Sequence, residues 1–460
     1  MYTLTALFPS KGPLMAISKS PYRGTRDFFP EQMRLRNFIF SKMAEVSELF
    51  AYEPYDGPLL EEIDLYRAKS GDELINEQVY SFKDRGDREV AIRPEMTPTV
   101  ARMVAQIHRE VSKPLRWYAI PNLMRYEKPQ KGRLREFWQY NADIFGAPES
   151  LGDLEIIQLA VGIMKSFGAN NEHFEILINS RRFVDYVFAG PINLDAEMTK
   201  KLYKLIDKKN KMPAEKFSAE VNLITNDSKK SAIFERYVSL SSMNEVETFF
   251  KETYQGTNQE DDFSKSLQPL MNLFSQLDGL GLKDYIKFDP SIVRGLDYYT
   301  DVVFEIFDKH PDNRRAIAGG GAYANLLAIF GETPLPGIGF GMGEVPLTDF
   351  LTSHKLLPDF SKQTVDILLG YLDTTAEKAS FEVAQKLRNG SIKVEVFLGE
   401  AKPKKIFSHS DKKQPNFLLI LGSNEIESGE IQLKDLKTKA VHKIQLSDVD
   451  KMIELIKGSR

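Results

Sequence analysis

Leu123-Met-Arg-Tyr-Glu-Lys-Pro-Gln-Lys-Gly-Arg-Leu-Arg-Glu-Phe-Trp-Gln139 joins two runs of strand character, 115–126 and 136–145, through a charged loop at 127–135. Two strands joined this closely form a hairpin, and hairpins belong to antiparallel sheets. Arg125 ends the first run and Lys128, Lys131, Arg133 and Arg135 crowd into the loop, with aromatic residues beside them. Guanidinium groups make bidentate, permanently charged contacts and so suit a polyphosphate, while an aromatic ring can stack on a base. A charge run of this kind also reads as a solvated hairpin tip.

Upstream of the hairpin, Leu35, Phe38, Ile39, Met43, Val46 and Phe50 recur at helical spacing and predict a core-packing helix over 31–50. The breakers Pro54, Asp56, Gly57 and Pro58 start extended structure. Short strands are expected at 79–82 and 90–93, and Pro94 and Pro98 frame a helix carrying Val100, Met103, Val104 and Ile107. Downstream, 185–280 is helical in period, rich in Lys and poor in Gly, the texture of an inserted helical subdomain with a basic, solvated face. Sheet character returns at 285–306 and runs through the glycine stretches Gly319–Gly321 and Gly337–Gly343. Beyond Asp359 the alternation of strand, helix and strand indicates a small α/β domain. The expected partition is an extension at 1–20, an α+β domain in two parts, 21–184 and 281–358, the helical insertion 185–280 between them, and the terminal domain 362–460.

Roughly 150 residues per domain gives the 460-residue chain room for about three domains. Lys and Arg total 61 against 65 Asp and Glu, a net −4, which excludes a uniformly basic binder but not a local basic patch. No apolar run approaches the roughly 18 residues that a membrane span requires. The absence of cysteine excludes disulfides, thiolate zinc sites and a Cys nucleophile, in keeping with a reducing compartment. His108, His173, His310, His354, His409 and His442 are scattered, so no protein-held metal is expected, and His108 on a helical face reads as packed or solvated. Tyr2 to Phe8 is a short apolar piece without a basic leader or a cleavage site, and reads as an extension, with Met15 an alternative start.

Two further clusters bear on chemistry. Arg294-Gly-Leu-Asp-Tyr-Tyr299 precedes a strand at 302–307, and the glycines of Ala318 to Tyr323 and of Gly337 to Gly343 leave bare backbone that a planar ligand can approach, or mark a bulge or tight packing. No Walker loop is present.

These motifs carry a resemblance. Arg23-Gly-Thr-Arg-Asp-Phe-Phe-Pro30, the stretch 58–71, Arg93-Pro-Glu-Met-Thr97, the Arg125 hairpin and Arg294-Gly-Leu-Asp-Tyr-Tyr299 follow the order seen in histidyl-tRNA synthetases, a class II aminoacyl-tRNA synthetase family. The chain resembles that family from about Tyr22 to its carboxyl end, least so in 185–280. The resemblance implies an α+β fold: an antiparallel catalytic sheet with a helical insertion, followed by an α/β anticodon-binding domain. It implies ligation of L-histidine to its tRNA through a histidyl-adenylate, with ATP as substrate and Mg²⁺ as its counter-ion. In such enzymes Arg125 and Arg294 would act at the α-phosphate, Arg133 on the outer phosphates, Phe137 against adenine and Glu127 at the adenine amino group. Glu95, Thr97 and Gln139 would hold the histidine ammonium. Asp143 and Tyr299 would meet the imidazole, and Arg294, Tyr298 and Tyr323 would complete the histidine pocket. A site that hydrogen-bonds both ring nitrogens rejects apolar competitors strongly. Gln130 matches a position used near the acceptor end of tRNA. Lys402-Pro-Lys-Lys-Ile-Phe407 and Lys412-Lys413 offer cations to RNA phosphate, or form a solvated helix face. A cytoplasmic homodimer, joined through the motif around Pro58 and without membrane contact, follows by resemblance.

The chain departs from the family pattern at three places. Ala322 and Ala324 flank Tyr323 where the family commonly has Arg and Asp; Val345 and Pro346 stand where it commonly has Glu and Arg; and Asp143 replaces a longer Glu. The absent third-motif arginine normally helps to hold the γ-phosphate, so a cation from elsewhere, such as Arg315, must reach it if catalysis is kept. The alternative is a non-catalytic, histidine-sensing paralogue similar to the regulatory subunit of ATP phosphoribosyltransferase, which typically lacks the anticodon-binding domain. A synthetase for another amino acid would need a different signature at 294–299, and a plain RNA-binding module leaves the amino-acid pocket unexplained.

Overall fold

The hairpin sits inside a nine-stranded sheet in the computed structural model of the chain, which describes residues 17–68, 74–130, 132–190, 192–206, 209, 212–254, 260–293, 299–360 and 365–459. The strands are β1 (Glu53–Pro54), β2 (Leu115–Ala119), β3 (Asn122–Met124), β4 (Glu136–Phe145), β5 (Phe174–Ser180), β6 (Ile286–Phe288), β7 (Val302–Asp308), β8 (Ala316–Tyr323) and β9 (Gly337–Gly343). Their order is β1-β2-β4-β9-β8-β7-β5-β6, with β3 paired to the first residues of β4. All inner pairs are antiparallel, and only the edge pairs β1/β2 and β5/β6 are parallel. The single strand expected over 115–126 is two strands. Pro121 has no N–H for the ladder, and the chain breaks there before pairing with β4 again.

One face of this sheet is closed by helices. Helix Glu149–Ser166 buries Ile156, Ile157, Leu159, Ala160, Ile163 and Met164. From the helix Pro30–Leu49, Ile39, Met43 and Val46 are buried, and Ser47 Oγ lies 2.7 Å from Tyr140 Oη on β4. Tyr140 in turn packs on Phe340 of β9, their ring centroids 5.5 Å apart. The opposite face holds the site.

Between β5 and β6 the chain forms the helices Arg181–Ala189, Ala196–Ile206, Ala214–Thr225, Ser228–Val238, Met243–Tyr254 and Glu260–Gly279, packed around Phe183, Phe188, Phe234 and Tyr237. Lys200, Lys201 and Lys204 of this segment are exposed. A separate antiparallel sheet, Leu60–Glu62, Glu89–Ile92 and Tyr80–Lys83, precedes the helix Thr97–Ile107.

The described residues divide into two compact units, Asn37–Leu357 with the residues before Phe28, and Phe28–Arg36 with those from Pro358. In the second unit Val394–Val396, Ile367–Tyr371 and Phe417–Leu421 pair in parallel and continue antiparallel into Glu430–Asp435 and Val441–Gln445. Helices Thr374–Asn389 and Val449–Gly458 bury Val383, Leu387, Met452 and Ile456 against Ile367, Leu369 and Leu419. A partly parallel sheet with helices is the fold that the strand-helix alternation predicts.

Candidate active site

A cavity of about 1040 Å³ opens on the free face of the large sheet, at the top of the range of about 300–1,000 Å³ usual for small-ligand sites. Arg125, Glu127, Arg133, Phe137 and Gln139, each named from the sequence, line it. Arg125 is held by its Nε, which donates to Pro94 O at 2.9 Å. Its terminal NH₂ groups make no hydrogen bond among the described residues, and the guanidinium lies 5.5 Å from the centre of the Phe137 ring. Glu127 is buried and pairs through Oε2 with Arg133 Nε, so one carboxylate already faces one cation within the cavity.

The loop's cations do not act together. Arg135 turns away from the cavity: it donates to Tyr22 Oη at 2.8 Å and to Glu127 O at 3.2 Å, and its guanidinium stands 4.0 Å above the Tyr126 ring. Lys128 is exposed, and Lys131 lies outside the described residues. Gln130 is exposed at the tip and borders a second, smaller cavity of about 410 Å³, with Asp308, Asn313, Arg314, Arg315 and Asp349.

Strand alternation continues the site inward from the cavity. On β4, Phe137, Gln139, Asn141 and Asp143 share one face, and Gly343, Gly341 and Gly339 of β9 pair with the last three. A Cβ on Gly341 would fall 2.8 Å from Gln139 Cδ, one on Gly337 would fall 2.5 Å from Tyr323 Cε2, and one on Gly339 would overlap Asp143 Oδ1. The space over Gly337 and Gly339 is therefore filled by the chain's own Tyr323 and Asp143, whereas Gly319, Gly341 and Gly343 line the cavity, Gly341 beside Gln139. Tyr323 Oη donates to Asp143 Oδ1, and both residues are buried. Burial pushes the Asp143 carboxyl up to about 7, the Tyr323 hydroxyl pulling the other way.

Tyr299 is buried against Gly321, where a Cβ would fall 2.7 Å from its Cδ1. Glu95 is buried and Thr97 opens the helix Thr97–Ile107; neither lines the main cavity, nor do Asp143, Tyr299 and Tyr323. Arg294 and Tyr298 lie outside the described residues, although Ser291 and Ile292 before them border the cavity. His108 is packed, its Nε2 2.9 Å from Glu332 Oε2.

Some contributors carry little signal in the sequence. Arg93 is a buried fork that donates to Asp56 Oδ1 at 2.7 Å, Gly57 O at 2.8 Å and Asn122 O at 3.0 Å, tying the segment of Pro94 and Glu95 to the start of β3. Glu305 lines the cavity from β7, and its one sign is a lone charge inside the apolar run Val302 to Phe307. Arg314, which no motif marks, lines the cavity beside Arg315.

The family model described as histidyl-tRNA synthetase matches residues 24–344, and that described as anticodon binding domain matches 365–455. A histidine–tRNA ligase of Leptospira biflexa serovar Patoc is 44% identical over 91% of this chain and 93% of its own length. The chloroplastic/mitochondrial histidine–tRNA ligase of Arabidopsis thaliana is 35% identical over 94% of this chain and 86% of its own. The crystal structure of histidyl-tRNA synthetase from Nostoc sp. PCC 7120 shares the fold, with a TM-score of 0.82 over 97% of this chain and 100% of that one at 21% identity. With a family model spanning more than half of its length and relatives well above 30% identity over nearly all of it, the chain belongs to the histidyl-tRNA synthetase family.

Proposed function

We propose that the chain joins L-histidine to its tRNA in two steps at this site. In the first, a histidine carboxylate oxygen attacks the α-phosphorus of ATP, the bond to the β,γ-pyrophosphate breaks, and histidyl-adenylate forms. In the second, a hydroxyl of the terminal ribose of tRNA attacks the carbonyl carbon and AMP leaves. Catalysis of such a displacement is chiefly positioning and charge neutralisation.

The observation that carries the reading is one continuous row. The anchored Arg125, whose NH₂ groups make no hydrogen bond among the described residues, and Phe137 share the cavity with Gln139, and the same strand face leads on to the Asp143–Tyr323 pair. Phosphate, purine, ammonium and imidazole thus each have a partner of matching chemistry along one line. Arg294 is assigned to the α-phosphate and Tyr298 to the histidine pocket by resemblance, as are Glu95 and Thr97 to the ammonium. Mg²⁺ arrives with the ATP phosphates, where it spreads their negative charge. Gln130 is assigned to the acceptor end of tRNA by the same resemblance.

The reading includes a cytoplasmic homodimer. Leu59, Leu60 and Phe82, half exposed around the three-stranded sheet next to Pro58, support a second copy there. In the second unit, Lys402, Lys404, Lys405 and Phe407 are exposed on and beside the helix Pro403–Lys413, which supports contact with an RNA loop. A histidine sensor without ligase activity has no use for the anticodon-binding domain at 365–455.

Histidine-dependent exchange of pyrophosphate into ATP tests the reading on the purified chain and on Arg294→Ala, with histidinol as competitor. Exchange that requires histidine and collapses in the variant is expected. Binding of histidine with no exchange would overturn it in favour of the sensor.

A further inference from the structure

We infer that Arg315 supplies the terminal phosphates of ATP with the guanidinium that the chain lacks at Pro346, an inference that rests on the histidine-activating reading above. Pro346 and Val345 stand on the cavity wall, in the first turn of the helix Glu344–Ser353 that follows β9. That turn brings no cation to the cavity. Arg315 enters the same cavity from the residue before β8.

Its position is fixed by the hairpin tip. Gly132 sits at φ +72°, and a Cβ there would fall 3.3 Å from Arg315 Cδ, so the tip of the loop lies over the stem of this arginine. Arg314 borders the cavity as well, but Arg315 is the residue beneath Gly132 and next to the Glu127–Arg133 pair.

Charge points the same way. Partial burial works most strongly against the charged form of Arg315, the neighbouring Arg133 adds to that, and Glu127 favours the charge. Glu127 is already paired with Arg133, and Arg315 makes no ion pair among the described residues, Asp349 beside Gly132 included. Arg133 and Arg315 thus both border Glu127 within the cavity, and an anion placed between the two guanidiniums meets a cation on either side. The charge that develops on pyrophosphate, as the α-phosphorus–oxygen bond breaks, is an anion of that kind.

The test is the pyrophosphate–ATP exchange assay on the full chain, comparing wild type, Arg315→Ala and Arg315→Lys. Arg315→Ala is expected to raise KM for ATP and for pyrophosphate on the order of 10- to 100-fold, with KM for histidine little changed, and Arg315→Lys to lie between. In the Arg315→Ala background, Pro346→Arg returns a guanidinium to the cavity from the facing element and is expected to recover exchange, which a purely structural role for Arg315 would not allow. Should Arg315→Ala fail to fold, Arg315→Gln keeps the stem and gives the same readout. Unchanged KM for ATP and pyrophosphate, or a parallel rise for histidine, overturns the inference while leaving histidine activation standing. No exchange by wild type would overturn the activation reading itself.

Discussion

Gly339 on β9 and Asp143 on β4 are direct partners across the antiparallel ladder, and a side chain on that glycine would occupy the place of Asp143 Oδ1. The spacing of glycines along β9 is thus set by polar side chains on β4 and β8, which need room on the same face to meet one another. Tyr323 donates to Asp143 over Gly337 and Gly339 as a result.

Gly339→Ala is therefore expected to displace the Asp143–Tyr323 pair. Inserting a methyl group into a filled site costs about 1–3 kcal/mol, so the denaturation midpoint falls. KM for histidine should rise far more than KM for ATP, since the cavity at Arg125 lies further along the row. Equal changes in both constants would argue that the pair does not touch histidine.

Asp143 also gives the free protein a pH signature. Its carboxyl is raised from an ordinary 3.8 to about 7, mainly by burial. A group held protonated in the folded state adds stability that is complete below its unfolded pKa and is lost as pH rises through the folded one. Between about pH 5 and pH 8 the wild type should therefore lose stability relative to Asp143→Asn, which has nothing to ionise. Urea titrations of both proteins across that range measure the difference, and a constant gap would contradict the assignment.

The hairpin is legible in the sequence because its signals are local, strand character on either side and a charged turn between, whereas the break at Pro121 within the first strand is not read from them. What the loop's cations do is not, because it depends on partners far away in the chain. Arg135 leaves the cavity for Tyr22, 113 residues upstream, a pairing that no periodicity encodes. The glycines of β9 are visible as a pattern, but their purpose requires the register with β4. Resemblance assigns Glu127 and Arg133 to opposite ends of ATP, whereas folding first joins them to each other.

Arg125→Lys tests the anchored fork. Lysine keeps a positive charge but loses both the bond from Nε to Pro94 O and the planar pair of terminal donors. A charge-stabilising donor aimed at a transition state is worth about 10²–10³ in kcat. Exchange should fall by that order while thermal stability stays near wild type. A fall confined to KM would mean that Arg125 holds ATP equally in ground and transition states.

Lys404 and Lys405 are exposed on the helix Pro403–Lys413, in a unit distinct from the one that carries the cavity. Their double substitution by Ala should leave histidine-dependent exchange unchanged and weaken tRNA charging. The slope of log affinity against log salt should lessen by about 0.7 for each phosphate of a single-stranded loop that no longer meets a lysine. An unaltered slope would return these lysines to a solvated face.

Arg26 and Glu344 are separated by 318 residues and joined by two bonds, Nη2 to Oε2 at 2.7 Å and Nη1 to Oε1 at 3.3 Å. Glu344 is buried and begins the helix that carries Val345 and Pro346 along the cavity wall, so Arg26 fixes the wall from the amino-terminal Arg23-Gly-Thr-Arg motif. Removing the arginine leaves a buried carboxylate without its cation, a loss of about 1.5–3 kcal/mol for hydrogen bonds to a charged group. Removing both partners abolishes that uncompensated charge. Arg26→Ala with Glu344→Gln should thus be less destabilised than the sum of the single variants, a coupling that a double-mutant cycle in urea resolves. Because the helix start forms one side of the cavity, the Arg26→Ala protein should also show a raised KM for ATP, with KM for histidine less affected. Additive stabilities would mean that the two residues act independently and that Arg26 has no hold on the wall.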